Sequence, residues 1–291
     1  MASKSTFFNL INPMHLFIAG GQQYVLGLAA LLKSVELNAT QDVRQSVRIT
    51  IVSQGITAQQ KHKLQNCCKY EIDWQEFQSN YDDLLCINGS RIAYVKLEPE
   101  KYTTAPERLI WLDSDTIVLG SLEPIWNLDL KGMPIAAAPN PWGNPNNPRD
   151  RKPYFNTGLL VYDMKLWQEE QLSKKLIKNA KINIWGDCDQ GAFNSVLAGR
   201  WHKLDRIWNN AVTEDASTKV MHFMSRPKPW ESPKPNKLWL EMLYQTPFKD
   251  ELLKVNKSNW LFNFELKYRQ REVWVTQPIV KFKSYVKNKQ R

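Results

Sequence analysis

"RLIWLDSDTIVLG", residues Arg108 to Gly120, sets two carboxylates, Asp113 and Asp115, between two apolar runs that read as strand. Carboxylates that follow Leu109, Ile110, Trp111 and Leu112 are costly to bury alone and need a partner. A metal ion, a basic side chain or water at a strand end would each serve. In a straight strand, residues two apart share a face, so both carboxylates are expected to converge where the strand ends. Two like charges so close resist joint ionisation unless a cation sits between them. That favours Mg²⁺ or Mn²⁺, hard ions that take oxygen ligands and also bind phosphate.

The surrounding segments alternate in period. "HLFIAGG" (His15–Gly21) and "VRITIVSQG" (Val47–Gly55) read as strands. "YVLGLAALLKSVE" (Tyr24–Glu36) and "TAQQKHKLQNCCK" (Thr57–Lys69) read as helices, with Thr57 as N-cap of the second. "YEIDWQEF", "MPIAAAPN" and "NTGLLVYDM" add strands, and "KLWQEEQLSKKLIKNA" (Lys165–Ala180) adds a helix with a charged outer face. Strand, helix, strand predicts an α/β fold: a twisted, mostly parallel sheet with helices on both faces, which binds ligands at the carboxyl ends of its strands. "NPWGNPNNPRDRKP", residues 140–153, interrupts the series as a long loop, of a kind that in compact domains is usually functional or mobile. "AGGQQ" lacks the G-x-G-x-x-G spacing of a dinucleotide site.

With 291 residues, 43% of them hydrophobic, the chain can bury a sizeable core. "STFFNLINPMHLFIAGG" has a proline within it and no apolar stretch of membrane-spanning length, so it reads as neither signal peptide nor membrane span. The expectation is a cytoplasmic protein, with Cys67, Cys68, Cys86 and Cys188 as reduced thiols. Net charge is +10, and residues 238–291 hold eight Lys and three Arg against one Asp and four Glu, a net +6. Ten aromatics share that segment, among them Trp239, Trp260, Phe262, Phe264, Trp274, Phe282 and Tyr285. The division expected is residues 1–237 as catalytic domain and 238–291 as a basic, aromatic extension. Such a tail suits an anionic membrane surface, as a peripheral contact on an inner face, better than nucleic acid. A solvated terminal region whose aromatics pack on the body is the other reading.

"SLEPIWNLDL", "YFNTGLLVYDMKLW", "DCDQGAFN" and "VMHFMSRPKPW" follow the Asp pair in order. On these motifs the chain, over about residues 14–230, resembles the family 8 retaining glycosyltransferases, which include glycogenin and bacterial lipopolysaccharide galactosyl- and glucosyltransferases. The resemblance implies a GT-A fold, a divalent metal, usually Mn²⁺, and transfer of a hexose from a UDP-sugar to a glycan, lipid-linked or protein acceptor. By the same carry-over Asp113, Asp115 and His222 hold the metal, and Lys228 neutralises the leaving diphosphate. Asp189 and Gln190 sit at the sugar face. Ala19, Gln23, Tyr24, Lys96, Asp113, Ser114, Asn156 and Ser225 join Lys228 in donor binding.

Chemistry agrees with these roles. One imidazole among carboxylate and diphosphate oxygens helps select Mn²⁺ over Mg²⁺. A lysine ammonium beside a departing phosphate stabilises charge that develops in the transition state. Gln190 is a neutral amide and a poor nucleophile, which favours near-face transfer in which a diphosphate oxygen takes the acceptor proton. Two departures stand out. Gly21 and Gln23 occupy places where the family carries Asp and Asn toward uracil and ribose, and Lys96 replaces a common Arg. Two further classes fit part of the pattern: a non-catalytic nucleotide-sugar-binding homologue, and a haloacid-dehalogenase phosphatase with its own D-x-D.

Overall fold

The computed structural model describes residues 13–42, 46–78, 81–84, 91–104, 107–147, 152–183, 185–211 and 215–252. Strand β1 (Met14–Gly21) is buried along its whole length, as befits a strand covered on both faces. Helix α1 (Val25–Asn38) follows, then β2 (Val47–Gln54), α2 (Ala58–Gln65) and β3 (Ile72–Glu76). The expected cap of α2 is present as a capping box: the Gln60 N–H donates to Thr57 Oγ1 at 3.2 Å, and the Thr57 N–H donates to Gln60 Oε1 at 3.0 Å.

Next come β4 (Arg108–Asp113), β5 (Thr116–Val118), α3 (Glu123–Trp126), β6 (Ile135–Pro139) and β7 (Phe155–Asp163). Helices α4 (Met164–Glu169), α5 (Leu172–Ile182) and α6 (Asp189–Val196), strands β8 (His202–Lys203) and β9 (Val220–His222), and helix α7 (Lys237–Tyr244) complete the order. Seven strands form one sheet in the order β3-β2-β1-β4-β7-β6-β8, while β5 and β9 form a separate pair. The junctions β3–β2, β2–β1, β1–β4 and β6–β8 are parallel, as the alternation implied. Strand β7 runs antiparallel to both β4 and β6, a reversal that apolar patterning does not encode.

Alternate residues of the central strands feed two cores. Leu16, Ile18 and Leu112 face the layer of α1 and α7, and Phe17, Trp111 and Leu160 face that of α4, α5 and α6. The helix expected over 165–180 is two helices, because Gln171 takes a left-handed conformation with φ 54° and turns the chain.

Helix α7 spans the expected domain boundary and packs on α1, with Trp239, Leu240 and Leu243 buried. The start of the basic extension is thus continuous with the body. Its remainder from residue 253, and Cys86, lie outside the described residues.

Candidate active site

Strand β4 delivers Asp113 to the carboxyl edge of the sheet, and there the strand stops. Ser114 and Asp115 form a turn, closed by the Thr116 hydroxyl donating to the Asp113 carbonyl at 2.7 Å. The continuous strand expected through Asp115 is therefore two strands, and the carboxylates converge across a turn instead of along one face. Strand β5 pairs antiparallel with β9, setting Thr116 opposite His222, while the Phe223 N–H donates to the Asp115 carbonyl at 2.9 Å. A histidine 107 positions away is placed beside the acid pair by this ladder. Helix α1 passes so close that a Cβ on Gly27 would lie 2.5 Å from the Ser114 carbonyl oxygen, which is why a glycine stands there.

Each carboxylate divides its oxygens between a lysine and His222. Asp113 Oδ1 accepts from Lys96 Nζ at 2.9 Å and Trp111 Nε1 at 2.7 Å, and its Oδ2 lies 3.7 Å from His222 Nε2. Asp115 Oδ2 accepts from Lys228 Nζ at 2.6 Å, and its Oδ1 lies 3.1 Å from the same Nε2. The partner question raised by the sequence thus has two answers at once. A basic side chain neutralises one oxygen of each acid, and Asp113, Asp115 and His222 each offer one ligand atom, all within 4.8 Å of one another, in a cluster suited to a cation. Two hard oxygens with one imidazole nitrogen fit Mn²⁺ or Mg²⁺ and offer nothing to a thiophilic metal.

Burial pushes the Asp115 carboxyl up, but His222 and Lys228 outweigh it and hold the group well below the usual carboxylate range. Lys96 responds to burial, which lowers it, and to Asp113 and Asp189, which together raise it above its ordinary value. Asp189 nevertheless stands above the ordinary carboxylate value. Burial raises it, and its one ammonium, 3.1 Å from Oδ2, is shared with Asp113, whose charge adds to the rise. Tyr24 is pushed up to about 12, by burial first and by Asp115 second.

Ala19, Gln23, Tyr24, Ser114 and Asp189 line a cavity of about 220 Å³ together with Asp113 and Asp115. Tyr24 stands edge-on to Trp230, with ring centroids 5.4 Å apart. Lys96, Asn156, Gln190, His222 and Lys228 are buried around it. Ser225 is exposed on the turn between His222 and Lys228 and is not among the residues lining the cavity. Both lysines are saturated: Lys96 also donates to the Thr157 carbonyl, and Lys228 to those of Phe223 and Met224.

Four participants escaped the sequence reading. Asp187 lines the cavity and accepts from Tyr154 OH at 2.6 Å, Asn146 Nδ2 at 2.8 Å and Gln190 Nε2 at 3.1 Å, tying the 140–153 loop to α6. Its spacing from Asp189, a second D-x-D, was the available signal. Asn209 meets His222 Nδ1 at 2.9 Å, with no signal in "IWNN". Cys188, just before α6, has φ 54° and ψ −118°, a strained conformation that presents Asp189 to the cavity. Gly158 leaves the place of its Cβ to the His222 ring, 2.1 Å from Cε1 and 2.3 Å from Nδ1. Gly158→Ala should therefore push His222 off the acid pair and weaken divalent-cation binding at least about tenfold by calorimetry. Unchanged affinity would show that the ring is not fixed by this contact.

A mostly parallel sheet that reverses at β7, with an Asp-x-Asp turn at its carboxyl edge, is a GT-A-like fold. The chain belongs to glycosyl transferase family 8, whose family model matches residues 15–234. It is 23% identical over 256 residues to general stress protein A of Bacillus subtilis, covering 75% of this chain and 88% of that protein. Glycosyltransferase GlyF of Streptococcus pneumoniae is 28% identical over 43% of this chain, which spans 34% of GlyF. Among solved structures, galactosyltransferase LgtC in complex with donor and acceptor sugar analogs has a TM-score of 0.70 at 20% identity, covering 83% of this chain and 99% of that one. That likeness shows the shared fold, and family membership sets the phosphatase reading aside.

Proposed function

We propose that this chain is a retaining hexosyltransferase that moves glucose or galactose from a UDP-sugar to a glycan, lipid-linked or protein acceptor, using Mn²⁺ in preference to Mg²⁺. The carrying observation is the convergence of Asp113 Oδ2, Asp115 Oδ1 and His222 Nε2 beside the cavity. LgtC binds donor and acceptor sugar analogs on the same fold, which supports a nucleotide sugar here. When bound at the three ligand atoms, a divalent cation would neutralise the donor diphosphate and polarise its bond to the sugar.

The chain's own residues supply the rest. Tyr24, braced by Trp230, offers a ring face to the base. Asp189 is pinned through Oδ2 by the Thr157 hydroxyl at 2.8 Å and by Lys96, which leaves Oδ1 to accept from sugar hydroxyls. Gln190 Oε1 accepts from Asn156 Nδ2 at 2.9 Å and the Thr157 N–H at 3.2 Å, so its lone pairs are engaged as well as poorly nucleophilic. Retention is then read as near-face transfer. The acceptor oxygen bonds to the anomeric carbon as the bond to diphosphate breaks, and the acceptor proton passes to a departing diphosphate oxygen. Lys228 exchanges a carbonyl partner for that oxygen as its charge grows.

Lys228→Ala should lower kcat by about 10²-fold with a smaller change in donor KM. A rise in KM with kcat intact would contradict the leaving-group role. No helix among the described residues is long and apolar enough to cross a membrane. Residues 277–291 are the segment we assign to an anionic leaflet. Release of nucleoside diphosphate from a panel of UDP- and GDP-sugars with Mn²⁺ tests the function as a whole. Turnover of UDP-glucose or UDP-galactose, abolished by chelator, is expected. Preference for a GDP-sugar would overturn the base, and no turnover of any donor would point to the non-catalytic homologue.

A further inference from the structure

We infer that Asn209 is a positioning residue: through a hydrogen-bonded relay of fixed polarity it holds a proton on His222 Nδ1, so that Nε2, facing Asp113 and Asp115, is the nitrogen that can give its lone pair to a cation. The inference rests on the reading of this cluster as a cation site. The polarity starts at two backbone N–H groups, which can only donate. Thr157 N–H donates to Gln190 Oε1 at 3.2 Å and Gly158 N–H to Asn156 Oδ1 at 2.8 Å. These contacts orient both amides, and Asn156 Nδ2 accordingly meets Gln190 Oε1 at 2.9 Å.

Asn209 is next in line. Its Nδ2 donates to Asn156 Oδ1 at 2.7 Å, so the atom that faces His222 Nδ1 at 2.9 Å is its Oδ1. An amide oxygen only accepts, and Nδ1 must therefore carry hydrogen. Flipping the Asn209 amide would oppose two acceptor oxygens at 2.7 Å. Asn156, Gln190, Asn209 and His222 are all buried, so no solvent relieves a mismatch. With hydrogen fixed on Nδ1, Nε2 is the nitrogen whose lone pair a cation would take up; it lies 3.1 Å from Asp115 Oδ1, close enough to donate to that carboxylate when it carries a proton instead. The ring cannot swing away on the other side, where it occupies the Cβ place of Gly158. At its far end the relay continues through Gln190 Nε2 to Asp187, so the cation ligand and the sugar-face amide are oriented by one set of bonds.

Partners that hold a ligating histidine in this way are worth about 10–100-fold in metal affinity. Asn209→Leu, which keeps the bulk and removes the amide, should weaken Mn²⁺ binding by about that factor in calorimetry, with melting in chelator as the control for folding. Wild-type affinity in a folded Asn209→Leu variant would overturn the inference. A measurement on the unaltered chain decides the matter if that variant does not fold. Long-range ¹H–¹⁵N spectra of the histidine-labelled, metal-free protein at alkaline pH, with His222 identified by its loss in His222→Gln, should place the proton on Nδ1. An Nδ1 without hydrogen would overturn the relay. Failure of the wild-type chain to bind Mn²⁺ would instead defeat the cation reading, while the same spectra still judge the tautomer.

Discussion

Asp115→Ala should abolish transfer, by about 10³-fold or more, and remove divalent-cation binding with it. Asp115 faces His222 Nε2 through Oδ1, in the cluster we assign to the cation, and supplies the counter-charge of Lys228 through Oδ2. Truncation therefore leaves an ammonium buried without its carboxylate as well as a cluster short of charge. Asp115→Asn removes the same charge but keeps the shape and an oxygen that can accept from Lys228. Both variants should be inactive, and the asparagine form should melt closer to wild type in chelator. Activity of either variant at the wild-type level would refute the role assigned to Asp115.

Lys96→Met should have the largest effect on the fold. The ammonium is all but inaccessible and is shared by Asp113 Oδ1 and Asp189 Oδ2. Its removal leaves two neighbouring carboxylates with no cation between them, a change of about 3–5 kcal/mol by comparison with other broken buried pairs. The pH dependence carries a sign. Asp189 already stands above its ordinary value, through burial and through Asp113, with Lys96 opposing the rise. Without Lys96 it rises further, so the native variant holds a proton that the unfolded chain releases. The deficit of Lys96→Met relative to wild type should therefore shrink as pH falls from 7 toward 5, measured by urea midpoints. A deficit that grows on acidification would show that the shared ammonium is not what balances the two acids.

Much of this site was legible because its chemistry is carried by short motifs. Of the residues in three separated segments, Asp113, Asp115 and Asp189 line one cavity, and Gln190, His222 and Lys228 contact its lining acids. What escaped depends on partners distant in sequence. The reversal of β7 arises from its pairing with β4 and β6, and an apolar run reads the same in either direction. Ser114 and Asp115 read as strand because apolar residues flank them, whereas the turn there is closed by Thr116 and by the β9 ladder. Asn209 has no local mark at all; its role exists only where β7, α6 and β9 meet. Lys96 was read as a donor contact from its place in a motif. What the structure gives it is three protein partners, which make it the tie between Asp113 and Asp189.

We assign Asp113, Asp115 and His222 together to a divalent cation that in turn holds a nucleoside diphosphate. Calorimetric titration of UDP into the full chain, once with saturating Mn²⁺ and once in chelator, tests it most directly. Binding in Mn²⁺ that weakens by two orders of magnitude or more in chelator, about 2.7 kcal/mol, is the predicted result. UDP binding of equal strength in both would rule that cation out, because the lysines and the tyrosine wall would then suffice without it.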